Sequence, residues 1–178
     1  MKRQFFTLFA GLLLLASCNQ TTTTTAEAPK EDPSAKALAQ YDKMTELMNS
    51  GKADEFIAAL APDAVDHPLG WPEIKGRDSI APMLKMWFSS VSNVKMEILH
   101  KASDGERVFA HYRCTGDMAA DGMGMKIKGG HFDYTGTEIM SFNKDGLANE
   151  HWDYPDMATF AAQVGIDLSA TAPPAEKK

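Results

Sequence analysis

The chain has 178 residues, of which 24% are charged and 44% hydrophobic, and its formal net charge is −6 at neutral pH. This acidic balance argues against nucleic acid as a ligand, and the sequence shows no basic patch interleaved with aromatic residues. The length is sufficient for one domain with a substantial hydrophobic core.

The first 17 residues are predicted to be a targeting segment that is not part of the fold. Two basic residues precede an apolar run over positions 5–15, which is too short to span a bilayer. The run ends in a Leu-Ala-Ser-Cys tetrad that resembles the lipobox of bacterial lipoproteins. This implies cleavage before Cys18, lipidation of Cys18 and a membrane anchor in the bacterial cell envelope. The alternative is an ordinary secretory signal peptide with an incidental cysteine.

The only other cysteine is Cys114. If Cys18 carries lipid, Cys114 has no intramolecular partner, and the exported domain depends on its core for stability. Because Cys114 lies in an apolar predicted strand, we expect a small buried side chain there and not a nucleophile.

Low-complexity segments flank the central part of the chain. Residues 18–34 contain five consecutive threonines followed by a polar, proline-containing stretch, which predicts a disordered tether. Residues 167–178 form a similar Ala/Pro/Lys tail. The sequence therefore predicts one folded domain over residues 35–166.

Apolar residues at helical spacing predict helices on both sides of the strand region. We expect Ser34 to cap the first helix, Asp156 to cap the last one, and Trp87 to pack in the core. The predicted helices are Ser34–Asn49, Ala53–Leu60, Arg77–Val91 and Asp156–Val164.

A period of two follows the third helix and predicts strands joined by hairpins. Such a sheet is antiparallel, and with helices on one face it gives an α+β domain. Glycines at 129, 130 and 136 would let the long strands curl around a pocket. The segment Ala64–Pro68 is expected to be a short extended piece. The predicted strands are Lys95–Ala102, Arg107–Thr115, Met125–Phe142 (one long strand or a bent pair) and Leu147–Tyr154.

The last predicted strand carries Glu150, His151, Trp152 and Asp153 in succession. Because strand side chains alternate between faces, His151 and Asp153 share one face and the other two residues share the opposite face. An imidazole beside a carboxylate can form an acid/base site in a pocket. On a solvent-facing sheet the same pattern would be an ordinary polar surface.

A series of short motifs runs along this domain in a fixed order. It passes from the helix end Tyr41–Gly51 through Pro62–His67 and the helix start Gly76-Arg77 to the turn Asp104–Val108 and the strand Glu150–Asp156. The order and spacing of these motifs resemble the SnoaL-like polyketide cyclase family, within the broad NTF2-like or ketosteroid-isomerase-like superfamily. The resemblance covers residues 36–165.

This resemblance implies an α+β fold in which N-terminal helices pack on the concave face of a cone-shaped, curved antiparallel sheet, and a homodimer formed through the sheet. Members with known activity bind an apolar, ring-bearing substrate in the cone and use no metal or organic cofactor. A pocket aspartate serves them as the acid/base in ring closure, and it matches Asp153. His151 could orient Asp153 or share its proton, or be a hydrogen-bonded sheet histidine. The alternative role for Asp153 is a helix cap.

Five further residues are candidates for the pocket lining. His67 and Trp71 lie where a loop would roof the cone, and Trp71 could stack on a flat ligand or pack on the core. His111 and Arg113 share a strand face, which lines the pocket if it is concave and meets solvent or a second copy if it is convex. Glu138 has the same two alternatives.

Two other features of the sequence bear on the site: a set of possible metal ligands and a Met-rich segment. The pairs His131/Asp133 and His151/Asp153, with His67, are ligand types that suit zinc or another divalent metal, but His-x-Asp is common by chance, so we expect no metal. The segment 116–124 is rich in Met, Ala and Gly, which predicts a mobile loop at the mouth of the cone.

Three functions follow as hypotheses. The first is a membrane-anchored protein that binds a small hydrophobic molecule and performs cofactor-free acid/base chemistry of the cyclase or isomerase type on a small hydrophobic carbonyl compound. The second is a non-catalytic envelope module that binds an apolar ligand, and the third is a dimerising domain with a filled cone. A raised pKa of Asp153 in an open cavity favours the enzyme, whereas an Asp153 neutralised by a fixed partner favours binding.

Overall fold

The computed structural model describes residues 32–168, and its elements follow the predicted order with shifted boundaries. The predictions for the targeting segment, for Cys18 and for most of the tether and tail fall outside this range. Within residues 32–168, no helix is long and apolar enough to cross a membrane.

Four α-helices lie in the described range, and residue-specific caps define two of them. Asp32, and not Ser34 as predicted, caps the first helix: its side chain accepts a hydrogen bond from the Ser34 amide at 3.0 Å, and Pro33 suits the first turn. Asp156 caps the last helix as predicted, by accepting from the Thr159 amide at 3.0 Å. The helices are α1 (Pro33–Asn49), α2 (Ala53–Ala58), α3 (Arg77–Ser90) and α4 (Met157–Val164).

Six strands of the described range form one curled, unclosed sheet. They are β1 (Leu60–Pro68), β2 (Ile74–Lys75), β3 (Val91–Ser103), β4 (Arg107–Met118), β5 (Gly130–Phe142) and β6 (Ala148–Pro155). Their order across the sheet is β2-β1-β6-β5-β4-β3. The three predicted hairpins from β3 to β6 are confirmed as antiparallel pairs. We call the face that the helices cover the inner face, and the opposite one the outer face.

One pairing departs from the predicted all-antiparallel sheet. β1 lies parallel to β6, with Asp66 opposite His151 and His67 opposite Trp152. Parallel neighbours need a long crossover connection, and here α3 and the β3–β5 hairpins supply it. The expected short piece at Ala64–Pro68 is therefore the end of a nine-residue strand that begins at Leu60.

Two clusters of apolar side chains lie between the helices and the inner face. One joins α1, α2 and α3 to the sheet around Tyr41 and Val108, and the other joins α4 to the sheet around Phe132 and Phe160. Trp87 packs against the second cluster, with ring centroids 6.1 Å from Phe132, as the core prediction required.

The segment 116–124 is not a loop throughout, contrary to prediction. Its first three residues complete β4, and Met118 is buried in the second cluster. A short 3-10 turn at Gly122–Gly124 follows. Gly116 has a packing role, because a Cβ there would lie 2.5 Å from the ring of Phe132.

We expect Phe132→Ala to lower the free energy of unfolding by about 3–5 kcal/mol, because the ring is fully buried and its removal leaves a cavity. Phe109→Ala is the matched control on the neighbouring strand, since the Phe109 side chain is 41% exposed. Urea denaturation of both variants tests the assignment, and equal losses would contradict it.

Candidate functional site

The helices and the inner face of the sheet enclose a cavity of about 430 Å³. This volume is in the range of small-molecule sites. Most of the lining is apolar, and its seven methionines can adapt to ligands of different shape. Because the cone is open, the hypothesis of a domain with a filled cone loses its support. The lining methionines are Met44, Met48, Met83, Met96, Met123, Met140 and Met157.

One part of this lining is polar and is formed by side chains from five different elements. Strand register explains the convergence, since Glu138 lies opposite Asp153 across the β5–β6 pair, and Asp66 lies opposite His151 across β1–β6. We call the six residues the polar cluster. They are Tyr41 of α1, Asp66 of β1, Tyr112 of β4, Glu138 of β5, and His151 and Asp153 of β6.

His151 lies between two carboxylates. Its Nδ1 is 2.7 Å from Asp66 Oδ1, and its Nε2 is 3.1 Å from Glu138 Oε2. Burial alone would lower the pKa of His151, but the hydrogen bonds to the two carboxylates raise it well above the usual value. Both ring nitrogens therefore act as donors, and the ring is an imidazolium at neutral pH. Its hydrogen-bond partners are these two residues, and not Asp153 as hypothesised.

The chain of hydrogen bonds continues from Glu138 into the first helix. The Tyr41 hydroxyl donates to Glu138 Oε1, and the Tyr41 side chain is almost completely buried. Burial and the nearby Glu138 carboxylate raise the pKa of Tyr41, so this hydroxyl keeps its proton. Tyr41, Glu138, His151 and Asp66 thus form one continuous network that joins α1 to β1, β5 and β6.

Asp153 stands beside this network with a neutral partner. The Tyr112 hydroxyl donates to Asp153 Oδ1 at 2.7 Å. Gly136 makes this approach possible, because a Cβ there would lie 2.5 Å from Tyr112 Cζ. Burial raises the pKa of Asp153 to about 6, although the His151 charge and the Tyr112 hydrogen bond oppose the rise. A carboxyl group with this pKa exchanges protons near neutral pH.

Cys114 is buried, as predicted, and its side chain also lines the cavity. Burial raises the pKa of this thiol to about 11, and a hydrogen bond with Tyr134 only partly offsets the rise. The thiol is therefore protonated at neutral pH, which makes it a poor nucleophile.

Three of the predicted pocket residues lie outside the cavity lining. His67 stacks on Trp152 with ring centroids 4.5 Å apart and bonds Glu150 at 3.1 Å. His111 and Arg113 alternate along β4 with Tyr112 and Cys114, so they lie on the outer face.

On that outer face, His111 stacks with His100, and Arg113 Nε donates to Asp133 Oδ1 at 2.7 Å. The prediction that His67, His111 and Arg113 line the pocket is therefore wrong. Glu138 is in the cavity, and Trp71, which is 69% exposed, borders it.

The alternative metal site is not assembled. His131 and Asp133 lie on the outer face, where His131 bonds Asp117 and Asp133 pairs with Arg113. His151 and Asp153 line the cavity on the inner face. Among residues 32–168, no three His, Cys, Asp or Glu side chains are grouped to hold a metal ion.

Sequence reasoning missed three members of the polar cluster. Tyr112 could have been found by strand alternation, because it lies next to His111 in sequence and two residues from buried Cys114. Asp66 lies 85 positions from His151. Only the parallel β1–β6 pairing brings these two residues together, and no local pattern reports it. Tyr41 was included in a motif, but helical spacing gives it only a core position.

A family model described as SnoaL-like polyketide cyclase matches residues 39–164 of the chain. The chain belongs to this family. No curated protein matches the sequence significantly.

Solved structures share the fold at low sequence identity. A SnoaL-like polyketide cyclase family protein from Jannaschia sp. CCS1 superposes with a TM-score of 0.64 at 14% identity, covering 83% of this chain and 100% of that one. Another protein of this family, from Shewanella putrefaciens CN-32, superposes with a TM-score of 0.63 at 15% identity, covering 71% of this chain and 94% of that one. An LEH-like epoxide hydrolase from M. tuberculosis superposes with a TM-score of 0.60 at 17% identity, covering 78% of this chain and 96% of that one.

We expect Asp153→Asn to stabilise the fold above about pH 7. A pKa raised from 3.8 to about 6 means that the stability from this carboxyl is complete below pH 3.8 and is lost as pH rises through 6. The difference corresponds to about 3 kcal/mol, which the neutral amide avoids while still accepting from Tyr112.

Chemical denaturation of both proteins between pH 4 and 8 measures this difference. The matched control is Asp133→Asn. In the wild type, the hydrogen bond from Arg113 lowers the pKa of the Asp133 carboxyl, so this variant should be less stable than wild type at neutral pH. Parallel stability profiles of wild type and Asp153→Asn would contradict the expectation.

We expect Tyr112→Phe to raise the pKa of Asp153 further, because in the wild type the hydrogen bond from Tyr112 stabilises the ionised carboxylate, and the variant lacks this bond. A hydrogen bond to a charged group contributes about 1.5 kcal/mol, which predicts that the pKa of Asp153 increases by roughly one unit. Carbon-13 NMR titration of the Asp153 carboxyl measures it. Tyr154→Phe, at an exposed position of the same sheet, should leave the pKa unchanged. An unchanged or lower value in Tyr112→Phe would refute this role of the hydroxyl.

Proposed function

We propose that this chain is a membrane-anchored SnoaL-like protein that binds a small hydrophobic molecule and exchanges a proton with it through Asp153. The reaction is cofactor-free acid/base chemistry of the cyclase or isomerase type. The observation that carries the proposal is the position of the Asp153 carboxyl in the lining of an open, mostly apolar cavity, where burial raises its pKa to about 6. A group that titrates near neutral pH can both accept and return a proton during one turnover.

Membership of the cyclase family supports binding of a small molecule, although a fold shared with cyclases and with an epoxide hydrolase does not define one reaction. Within the proposal, Asp153 is the group that touches the ligand. His151 is a positioning residue that fixes the two neighbouring carboxylates and holds a positive charge near Asp153. The sequence-based expectation was that His151 orients Asp153 or shares its proton, whereas in this proposal it positions Asp66 and Glu138.

The cellular location is part of the proposal and is supported by the lipobox at Cys18. Lipidation would hold the domain at the bacterial envelope, whereas polyketide synthesis is cytoplasmic. The substrate is therefore proposed to be a different apolar compound. A homodimer through the outer face is also proposed, since this face exposes the aromatic side chains Phe109 and Tyr154.

A second candidate is a binding module without catalysis. The hydrogen bond from Tyr112 favours it, because a carboxyl held by a fixed partner can serve to orient a ligand. The two candidates differ in the fate of the ligand. An enzyme converts it, and a binding module releases it unchanged.

Mass spectrometry of small molecules that co-purify with the mature chain, made soluble by Cys18→Ser, distinguishes the two functions. We expect an apolar compound that wild type converts and that accumulates intact on Asp153→Asn. The outer-face variant Asp133→Asn should behave as wild type. The same ligand held unchanged by wild type and Asp153→Asn would exclude Asp153 as a catalyst and leave the binding module. If neither protein retained or converted an apolar compound, both candidates would fail.

A further inference from the structure

We infer that the polar end of the ligand donates hydrogen bonds and carries no negative charge, as in an apolar alcohol or amine, and that it binds the free carboxylate oxygens of Asp66 and Asp153. The inference deepens the proposed function, on which it rests, by naming the class of molecule. It follows from counting donors, acceptors and charges in the polar cluster.

The hydrogen-bond donors of the polar cluster are already in use. Both ring nitrogens of His151 donate to carboxylates, the Tyr41 hydroxyl donates to Glu138, and the Tyr112 hydroxyl donates to Asp153. A tyrosine hydroxyl has one proton to give and an imidazolium has two. No donor of these three side chains remains for a ligand unless an existing bond breaks.

Acceptors, in contrast, remain available. The hydrogen bonds within residues 32–168 engage Oδ1 of Asp66 and Oδ1 of Asp153, and neither Oδ2 atom has a donor there. No fully enclosed side-chain oxygen or nitrogen in that range lacks a partner, so both Oδ2 atoms are accessible. Asp66 itself is only 8% exposed, and both residues line the cavity. A ligand that donates to these atoms would satisfy acceptors that are exposed to the cavity but largely shielded from bulk solvent.

The net charge of the polar cluster also disfavours a negatively charged ligand. Asp66 and Glu138 contribute two negative charges and the His151 imidazolium one positive charge, which leaves one net negative charge before Asp153 is counted. In a partly buried site, an added carboxylate is repelled more strongly than in water. An ammonium or hydroxyl group meets no such repulsion.

Displacement of the neutral dye Nile red from the mature chain carrying Cys18→Ser tests the inference. The competitors are decanol, decylamine and decanoate at pH 8, which share one apolar chain and differ in the charge and donors of the polar end. We expect decanol and decylamine to displace the dye at concentrations at least about tenfold lower than decanoate, equivalent to about 1.4 kcal/mol.

Two variants locate the selectivity. Asp66→Asn and Asp153→Asn each remove one negative charge and introduce amide donors. Each should therefore reduce, several-fold, the ratio between the decanoate and decanol concentrations that displace the dye. If Asp66→Asn fails to fold, Asp153→Asn still provides the test. Asp133→Asn, on the outer face, should preserve the wild-type preference.

The outcomes separate the inference from the proposed function. Dye binding with decanoate competing as well as decanol would overturn the inference and leave apolar binding intact. A preference for decanol that persists in both Asp66→Asn and Asp153→Asn would also overturn it, because the selectivity would lie elsewhere. Failure of the dye to bind would overturn the proposed function and, with it, the inference.

Discussion

The site depends on the imidazolium of His151 between the carboxylates of Asp66 and Glu138. A buried carboxylate without a partner is strongly unfavourable, and two of them next to each other are more so. The imidazolium supplies a donor to each and cancels one of their charges. Because Tyr41 also binds Glu138, this network connects the first helix to three strands. Loss of the central ring would leave both buried carboxylates without a countercharge and would remove the donor at Asp66 Oδ1.

Asp153 differs from the other two carboxylates in the charge of its partner. Asp66 and Glu138 each face a cation, whereas Asp153 accepts from a neutral phenol that keeps its proton. Burial therefore dominates the pKa of Asp153 and raises it toward neutrality. Neighbouring carboxylates with different environments commonly take different roles in active sites. Here Asp66 and Glu138 are both held by the imidazolium, and the environment of Asp153 suits the proton transfer proposed for it.

The sequence predicted the elements that local patterns define and missed contacts that distant strands create. The hairpins from β3 to β6, the Asp156 cap and the shared face of His151 and Asp153 follow from periodicity and turn chemistry. The parallel β1–β6 pair does not, and with it Asp66 was lost from the predicted site. His111 and Arg113 were misplaced because alternation shows which residues share a face but not which face is inside. The buried neighbours Tyr112 and Cys114 resolve that ambiguity only once the fold is known.

The use of donors in the polar cluster limits the chemistry that its residues can support. A reaction that builds negative charge on a ligand oxygen needs a donor at that oxygen, and Tyr41, Tyr112 and His151 already donate within the cluster. In the proposed reaction, however, the carboxyl of Asp153 becomes a neutral acid, and thus a new donor, once it has taken a proton from the ligand. The group that removes a proton can then return it to another atom of the same molecule. This arrangement suits proton relocation within one ligand better than a reaction that needs a separate oxyanion site.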